Sequence, residues 1–439
     1  MFALVIKLSR YFFIFYIVYF LWQGVVYLLY ERGIKTDFRP ASSAKQRVII
    51  VLFHITGFLI LAYEPSRFSF DTQILITGLG GLSFLIGSIL IIQLCFSKSC
   101  PLIWNGMLFL LDIGFVMLQR INYEAAQKQF IYACIGVLAA LVAYLAFIVV
   151  SRFDKLGYLY LVICVGLLLL PSFFGDRTHG SLNWVTINSI RFQPSEIAKF
   201  FYIFFLSSVL RDPKPIFKII PSIIAAGCCA LILIMQRDLG NALIFFMTYL
   251  VMAYIATGKV WLPVLGLLAA SLGSVLAYRV FPHIQTRVFA WQNPWADPYD
   301  KGLQILQSLF AIGTWGMLGS GLTLGTPKFV PIVVSDFIFS AICEEFGGFF
   351  GLCLIGVFIM LFYRGVNIAL RSTTPYFSLL ASGFTSLLAF QTFLILGGVI
   401  KFIPLTGVTL PFVSAGGSSV IVSIIMISVL QKIGVSKPE

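Results

Sequence analysis

The sequence predicts an all-α fold, a polytopic transmembrane helical bundle with a large extracytoplasmic loop. Of the 439 residues, 59% are hydrophobic and only 11% are charged, whereas a soluble domain has about 25% charged residues. Apolar runs close to the roughly 20 residues that cross a membrane recur along the whole chain. These runs are continuous and lack the period-two alternation of barrel strands. The spans are therefore predicted to be helices.

The apolar runs define about thirteen predicted spans, judged by the roughly 20-residue length that a membrane requires. They lie near residues 11–30, 48–63, 74–96, 102–118, 130–150, 157–174, 196–210, 218–235, 240–257, 260–280, 337–363, 377–398 and 413–431. If successive spans cross the membrane in alternating directions, the basic segments all lie on one side of it. These segments are around 32–47, 152–155, 211–218 and 364–371. The positive-inside tendency makes that side cytoplasmic. The long non-apolar stretches 175–195 and 281–336 then lie outside, and loops of such length usually carry function.

Composition also excludes several classes of protein. The net charge of +13 comes from basic residues in short loops between spans, so no nucleic-acid binding is predicted. The eight cysteines show no paired spacing, which argues against a disulfide framework or a zinc site. His54, His179 and His283 share no metal-ligand spacing and are predicted to be isolated polar residues. Asp112 stands alone in an apolar run, and the sequence assigns it no partner.

Ionisable residues at membrane depth are costly and therefore suggest function. Glu196 and Lys199 follow Gln193 and Ser195, and their separation of three residues places them on one helix face. They are predicted either to form a buried ion pair that orients two helices or to contact the substrate directly. The sequence leaves both roles open.

Two aspartates stand where a loop meets a span. Asp336 closes the long outer loop, where it could cap a helix or, partly desolvated, serve as a general base. Glu344 and Glu345 are predicted two turns deeper on the same helix. Asp238 begins another span and is predicted to cap it.

The outer segments also carry cations, against the positive-inside tendency. Such residues either bind an anionic group such as a pyrophosphate or are simply tolerated in long loops. The candidates for pyrophosphate binding are Arg191, Arg237, Arg279, Arg287, Lys328 and Lys401.

Several sequence motifs occur in a familiar order. They are Gly180 to Trp184, Phe192 to Lys199, Gln236 to Leu243, Asn293 to Pro298, Gln304 to Gly313, Ser335 to Phe339 with Glu344 and Glu345, Pro404 to Pro411, and Gly416 to Ser419. In these motifs the chain resembles the shape, elongation, division and sporulation family (FtsW/RodA/SpoVE) of bacterial membrane proteins. The resemblance implies a ten-span core over residues 99–439 and leaves residues 1–98, with about three spans by length, as an N-terminal transmembrane extension.

The resemblance implies a peptidoglycan glycosyltransferase of the bacterial cytoplasmic membrane. Its substrate would be lipid II, the undecaprenyl-pyrophosphate-linked disaccharide pentapeptide, which it would polymerise on the outer face during division or cell-shape maintenance. Asp336 would be the catalytic residue that deprotonates the acceptor sugar. Supporting roles would fall to Gln193, Ser195, Glu196, Lys199, Asp238, Glu344, Glu345, Ser418 and Ser419. A divalent cation, magnesium or manganese, is an expected cofactor, without an organic one, and a class B penicillin-binding protein is the expected partner.

The chain departs from the family pattern beside Asp336. Many members read Pro-Glu-Ala-His-Thr-Asp where this sequence has Pro331 to Asp336 without the glutamate and the histidine. Two other functions stay open. A transporter could flip lipid II along a polar path formed by the buried acids and Lys199, and a scaffold could recruit partners without catalysis, in which case Asp336 would be dispensable.

Overall fold

A computed structural model describes residues 2–31, 39–64, 69–96, 98–149, 153–178, 181–187, 190–212 and 216–435. Parts of the predicted basic segments 32–47, 152–155 and 211–218 lie outside the described residues, as do His179 and Gly180.

Sixteen helices make up most of the described chain. The first eight are α1 (Phe2–Glu31), α2 (Arg39–Ala62), α3 (Thr72–Cys95), α4 (Pro101–Ile121), α5 (Tyr123–Val149), α6 (Gly157–Phe174), α7 (Pro194–Leu210) and α8 (Ile220–Met235). The second eight are α9 (Leu239–Thr257), α10 (Trp261–Val280), α11 (Pro282–Gln292), α12 (Leu303–Thr314), α13 (Ile338–Phe346), α14 (Gly348–Leu370), α15 (Pro375–Val399) and α16 (Gly417–Val435). Among the described residues, 11 helices are long and apolar enough to cross a membrane. This confirms the predicted all-α, polytopic class.

Two predicted spans correspond to shorter helices. The 196–210 run forms α7, which has 17 residues, and the 218–235 run forms α8, which has 16. At a rise of about 1.5 Å per residue, each is several ångströms shorter than the hydrocarbon core. Both helices nevertheless pack within the bundle, α7 against α6 and α15 and α8 against α9.

The predicted span 337–363 is wrong as a single helix. It is divided into α13 and α14 at Gly347, whose φ of 97° is a conformation that residues with a Cβ rarely adopt. Asp336 also lies outside the helix, because α13 begins at Ile338 and its N-cap residue is Phe337. The Phe337 side chain makes no capping hydrogen bond. The helical offset predicted between Asp336 and Glu344 is therefore wrong, although Glu344 and Glu345 do share α13.

The N-terminal helices pack directly on the remainder of the bundle. In α2, His54 Nδ1 lies 2.5 Å from Asp112 Oδ1 of α4, and His54 Nε2 lies 2.9 Å from the Gly78 carbonyl of α3. Asp112 is therefore not alone, and the prediction that His54 is isolated was wrong. At the end of α1, Glu31 pairs with Arg364 of α14 and with Arg371, which directly follows α14. Within the bundle, 94% of the α4 span is buried.

The described part of the chain contains two small sheets. Strands β1 (Tyr63–Glu64) and β2 (Ser69–Phe70) pair between α2 and α3. Strands β3 (Gly175–Thr178), β4 (Ser181–Ile187) and β5 (Ile190–Phe192) form an antiparallel sheet between α6 and α7. The loop 281–336 folds into α11, α12 and two short 3-10 turns. Both outer segments meet at the same end of the bundle, where they enclose a cavity.

Candidate active site

The cavity has a volume of about 620 Å³ and lies where the two predicted outer segments converge. Its walls come from β4 and β5, the first turns of α7 and α9, α11, the start of α12, and the segments 332–336 and 405–415. Asp336 lines this cavity. The acid singled out by the sequence therefore does not point into surrounding lipid.

Arg287 is the cation placed beside Asp336. A Cβ atom added to Gly407 would lie 3.7 Å from Asp336 Oδ2 and 3.8 Å from Arg287 Nη2, so both charged groups face this one glycine. Arg287 Nη1 donates to the carbonyls of Leu405 and Thr406 at 3.3 and 3.2 Å. Burial lowers the pKa of Arg287, whereas the negative charges of Asp336 and Asp238 oppose that decrease. The guanidinium is thus fixed by two carbonyls and feels the negative charge of both carboxylates.

Asp238 organises the wall behind the cavity. Its carboxylate caps α9 by accepting from the Asn241 backbone N–H at 3.2 Å, as the sequence predicts. It also accepts from the side-chain amides of Asn183, Gln193 and Asn241 at 3.1, 3.0 and 2.8 Å. Since those amides belong to β4, the start of α7 and α9, one buried carboxylate joins three elements of the wall. Ser195 extends the contact by accepting from Asn241 Nδ2 at 3.2 Å.

The predicted pair of Glu196 and Lys199 is present in α7. Lys199 Nζ donates to Glu196 Oε1 at 2.7 Å and to Gln391 Oε1 of α15 at 3.2 Å. The Lys199 side chain is only 1% exposed and that of Glu196 only 7%. Gln391 Nε2 continues the network to Ser419 at 3.3 Å. Glu196 lines the cavity as well, so the pair links the cavity wall to α15 and α16.

The predicted cations divide into two groups. Arg191 and Arg287 line the cavity, and Arg191 also stacks over the Trp184 ring with 4.6 Å between the guanidinium carbon and the ring centroid. Lys301 also lines the cavity, and nothing in the sequence had marked it as a candidate. The other predicted cations do not line the cavity; they are Arg237, Arg279, Lys328 and Lys401.

A second, smaller cavity adjoins the first. Its volume is about 230 Å³, and it shares Trp184, Arg191 and Ala415 with the larger cavity. The N-terminal part of α5 forms its far side and contributes Lys128 and Tyr132. The Arg191 side chain therefore belongs to both spaces.

The remaining supporting candidates lie in the scaffold around the cavity. Ser418 Oγ accepts from the Gln193 backbone N–H at 3.2 Å, which joins α16 to the start of α7. Glu344 and Glu345 are buried in α13 and do not line the cavity. Glu344 instead accepts from the Thr326 backbone N–H at 2.7 Å, and Glu345 pairs with Arg120 of α4 at 2.9 Å.

No ready-made metal centre is present in the part of the chain that the structure describes. No group of three His, Cys, Asp or Glu side chains there could hold a metal ion. Magnesium sites in phosphate-handling proteins commonly use only one or two carboxylates and complete the coordination with substrate phosphates and water. Asp336 could contribute to a site of that kind.

The fold and the cavity together define a class: a multi-pass membrane protein with a basic, carboxylate-containing cavity at the end of the bundle predicted to face outward. A family model described as "Cell cycle protein" (FtsW/RodA/SpoVE) matches residues 97–438. The chain belongs to this family, which makes it a multi-pass protein of the bacterial cytoplasmic membrane. The division of the chain at residue 98 into an extension and a core stays a prediction.

Curated relatives carry names from all three branches of the family. Peptidoglycan glycosyltransferase RodA of Mycobacterium tuberculosis is 31% identical over 364 residues, covering 76% of this chain and 77% of that protein. Stage V sporulation protein E of Bacillus subtilis is 32% identical over 351 residues, covering 74% and 94%. A probable peptidoglycan glycosyltransferase FtsW of Geobacter sulfurreducens is 34% identical over 286 residues, covering 63% and 75%.

Solved structures share the fold. A chain from a study titled "Structural coordination of polymerization and crosslinking by a peptidoglycan synthase complex" matches with a TM-score of 0.67 and 24% identity, covering 76% of this chain and 97% of that one. The rod shape determining protein RodA of Thermus thermophilus matches with a TM-score of 0.55 and 22% identity, covering 76% and 96%.

Proposed function

We propose that this protein is a peptidoglycan glycosyltransferase that polymerises lipid II, with Asp336 as its general base. Curated relatives named peptidoglycan glycosyltransferase support the activity. The observation that carries the assignment of the base is the position of Asp336 in a cavity whose wall also supplies Arg191, Arg287 and Lys301. A carboxylate among cations suits a reaction in which an alcohol loses a proton and a pyrophosphate leaves.

In the proposed reaction, Asp336 accepts the proton of the acceptor's GlcNAc 4-hydroxyl as that oxygen attacks the anomeric carbon of the donor's MurNAc. The new glycosidic C–O bond forms as the bond to pyrophosphate breaks, and the configuration inverts. Undecaprenyl pyrophosphate departs with the bonding electrons. The guanidinium of Arg287, already oriented by two carbonyls, stabilises the charge that develops on this leaving group.

Two adjoining cavities suit a reaction with two large anionic lipid substrates. The larger cavity contains the proposed base, and the smaller one adds Lys128. Arg191 stands on their common wall, where it would contact the pyrophosphate or sugar of either substrate. We assign the larger cavity to the reacting sugars and the smaller one to the rest of one substrate's headgroup.

We also propose that a divalent cation, magnesium or manganese, binds at this site. Asp336 and the pyrophosphate oxygens would hold it, and it would supply further charge stabilisation for the leaving group. The proposed protein partner is a class B penicillin-binding protein, a transpeptidase that crosslinks the new strands. The match to a chain studied as part of a peptidoglycan synthase complex supports a partner of this kind.

The test is polymerisation of purified lipid II by the detergent-solubilised protein, with the partner supplied. The wild type should make glycan strands, and Asp336→Asn should be slower by about 10²- to 10⁴-fold, the usual contribution of a general base. Asp212→Asn makes the same chemical change at an exposed site between α7 and α8 and should retain activity. If Asp336→Asn polymerises at the wild-type rate, Asp336 is not the base. If no protein makes strands but labelled lipid II crosses liposomes, transport becomes the function.

A further inference from the structure

The segment that leads to Asp336 is irregular and strained. After α12 ends at Thr314, the chain reaches Asp336 through turns and one short 3-10 turn at Pro327–Phe329. Within it Thr323 has a φ of 81°. A β-branched residue with positive φ is a genuine outlier, and such a conformation persists only where its surroundings enforce it. Some contact must therefore hold this part of the segment.

Arg120, at the end of α4, provides that contact. Its Nη2 donates to the carbonyls of Thr323 and Gly325 at 3.2 and 3.0 Å, and its Nε donates to Glu345 Oε1 at 2.9 Å. Glu345 is fully buried, whereas the Arg120 side chain is 20% exposed. One guanidinium thus joins the strained backbone to a buried carboxylate of α13. The planar fork of arginine can make these bonds together, whereas the point charge of a lysine cannot.

Helix α1, in the N-terminal part of the chain, also contacts this segment. Arg10 of α1 donates from Nη1 to the Gly319 carbonyl at 3.2 Å. A Cβ added to Gly321 would lie 3.1 Å from Ile6 Cγ2, so α1 packs against the glycine backbone itself. The N–H groups of Ser320 and Gly321 in turn donate to the carbonyls of Glu344 and Glu345 at 2.9 Å. Residues 319–325 are therefore enclosed by α1, α4 and α13.

We infer that Arg120, assisted by Arg10 of the extension, is a positioning residue that holds segment 319–325 and through it places Asp336 for catalysis. This inference rests on the proposed function, because it concerns the same base. Arg120 lines neither of the two adjoining cavities and so does not contact the substrates. Its effect on the reaction passes through the backbone between Gly325 and Asp336.

The decisive variant is Arg120→Lys, which keeps a positive charge near Glu345 but loses the fork that reaches two carbonyls. We expect kcat for lipid II polymerisation to fall at least about tenfold, as small displacements of reacting groups do, with KM within about twofold of wild type because the cavity lining is intact. Arg10→Gln should change kcat in the same direction by a smaller factor. Arg364→Lys makes the matched change where α14 meets Glu31, and it should leave kcat near the wild-type value.

A second measurement is independent of activity. Lys328 is exposed and follows the held segment, so trypsin cleavage there, identified by fragment mass, reports loosening of the loop. Arg120→Lys and Arg10→Gln should both be cleaved faster than wild type, and Arg364→Lys should not. If the wild type is inactive, the proposed function fails. Independently of activity, equal cleavage of the wild type, Arg120→Lys and Arg10→Gln would overturn the positioning role. Wild-type kcat in Arg120→Lys would overturn it as well.

Discussion

The buried ion pair of α7 allows a sharp prediction about stability. In Lys199→Met, the buried Glu196 carboxylate loses the ammonium group 2.7 Å away. An exposed pair would cost less than about 1 kcal/mol to break, but here the two side chains are only 1% and 7% exposed. Burial therefore decides the magnitude, and we expect a loss of about 3–5 kcal/mol in the free energy of unfolding. Gln391, which accepts from the same ammonium, loses its donor too.

A double variant separates the charge effect from simple loss of packing. Glu196→Gln/Lys199→Met removes both charges, so it should be more stable than Lys199→Met alone even though it carries one more substitution. The assay is reversible unfolding in mixed micelles with increasing denaturing detergent. Arg211→Met provides a control, because its partner Asp154 is 32% exposed, and this change should cost less than about 1 kcal/mol. A Lys199→Met protein within about 1 kcal/mol of wild type, or a double variant less stable than the single one, would refute the account.

Two further predictions concern the outer segments. Asp238→Ala removes a helix cap and the acceptor of three side-chain amides, so it should cost about 2–4 kcal/mol in the same unfolding assay. Asp71 is an exposed cap of α3 that accepts from the Gln73 backbone N–H at 2.8 Å. Asp71→Ala should cost only about 1 kcal/mol, and equal losses would contradict the role of Asp238. Burial and the charges of Arg287 and Arg237 lower the pKa of His283. The unfolded chain then binds more protons than the folded one just below about pH 6.5, so stability falls there on acidification. His283→Asn should lessen that fall, and an unchanged slope between about pH 7.5 and 5.5 would contradict it.

Local features of the fold were predictable from sequence. Hydropathy located the helices because each span must be apolar over a fixed length. The pair of Glu196 and Lys199 followed from helical geometry, since residues three apart share a face. Asp238 was recognised as a cap because it stands immediately before an apolar run. Each of these inferences needs only a few neighbouring residues.

The features that the sequence did not reveal depend on which helix faces meet. His54 and Asp112 are 58 residues apart, and two separate apolar runs give no register between them. The contribution of Lys301 to the cavity likewise depends on how the outer loop folds back over the bundle. The break at Gly347 did carry a signal, because two consecutive glycines interrupt that apolar run. Apolar length outweighed this signal in the prediction of one long span.

The departure of this chain from the family pattern acquires a physical meaning in the structure. The positions that would carry a glutamate and a histidine are Ile332 and Val334, and the latter's carbonyl accepts from the Ala415 N–H at 2.9 Å. This part of the loop therefore contributes backbone anchoring, not charge. The charge that faces the base comes from Arg287 of α11, which is held in turn by the carbonyls of Leu405 and Thr406. Because base and cation reside on separate elements, any motion of α11 relative to the loop would change both the charge beside the base and the space for the leaving group.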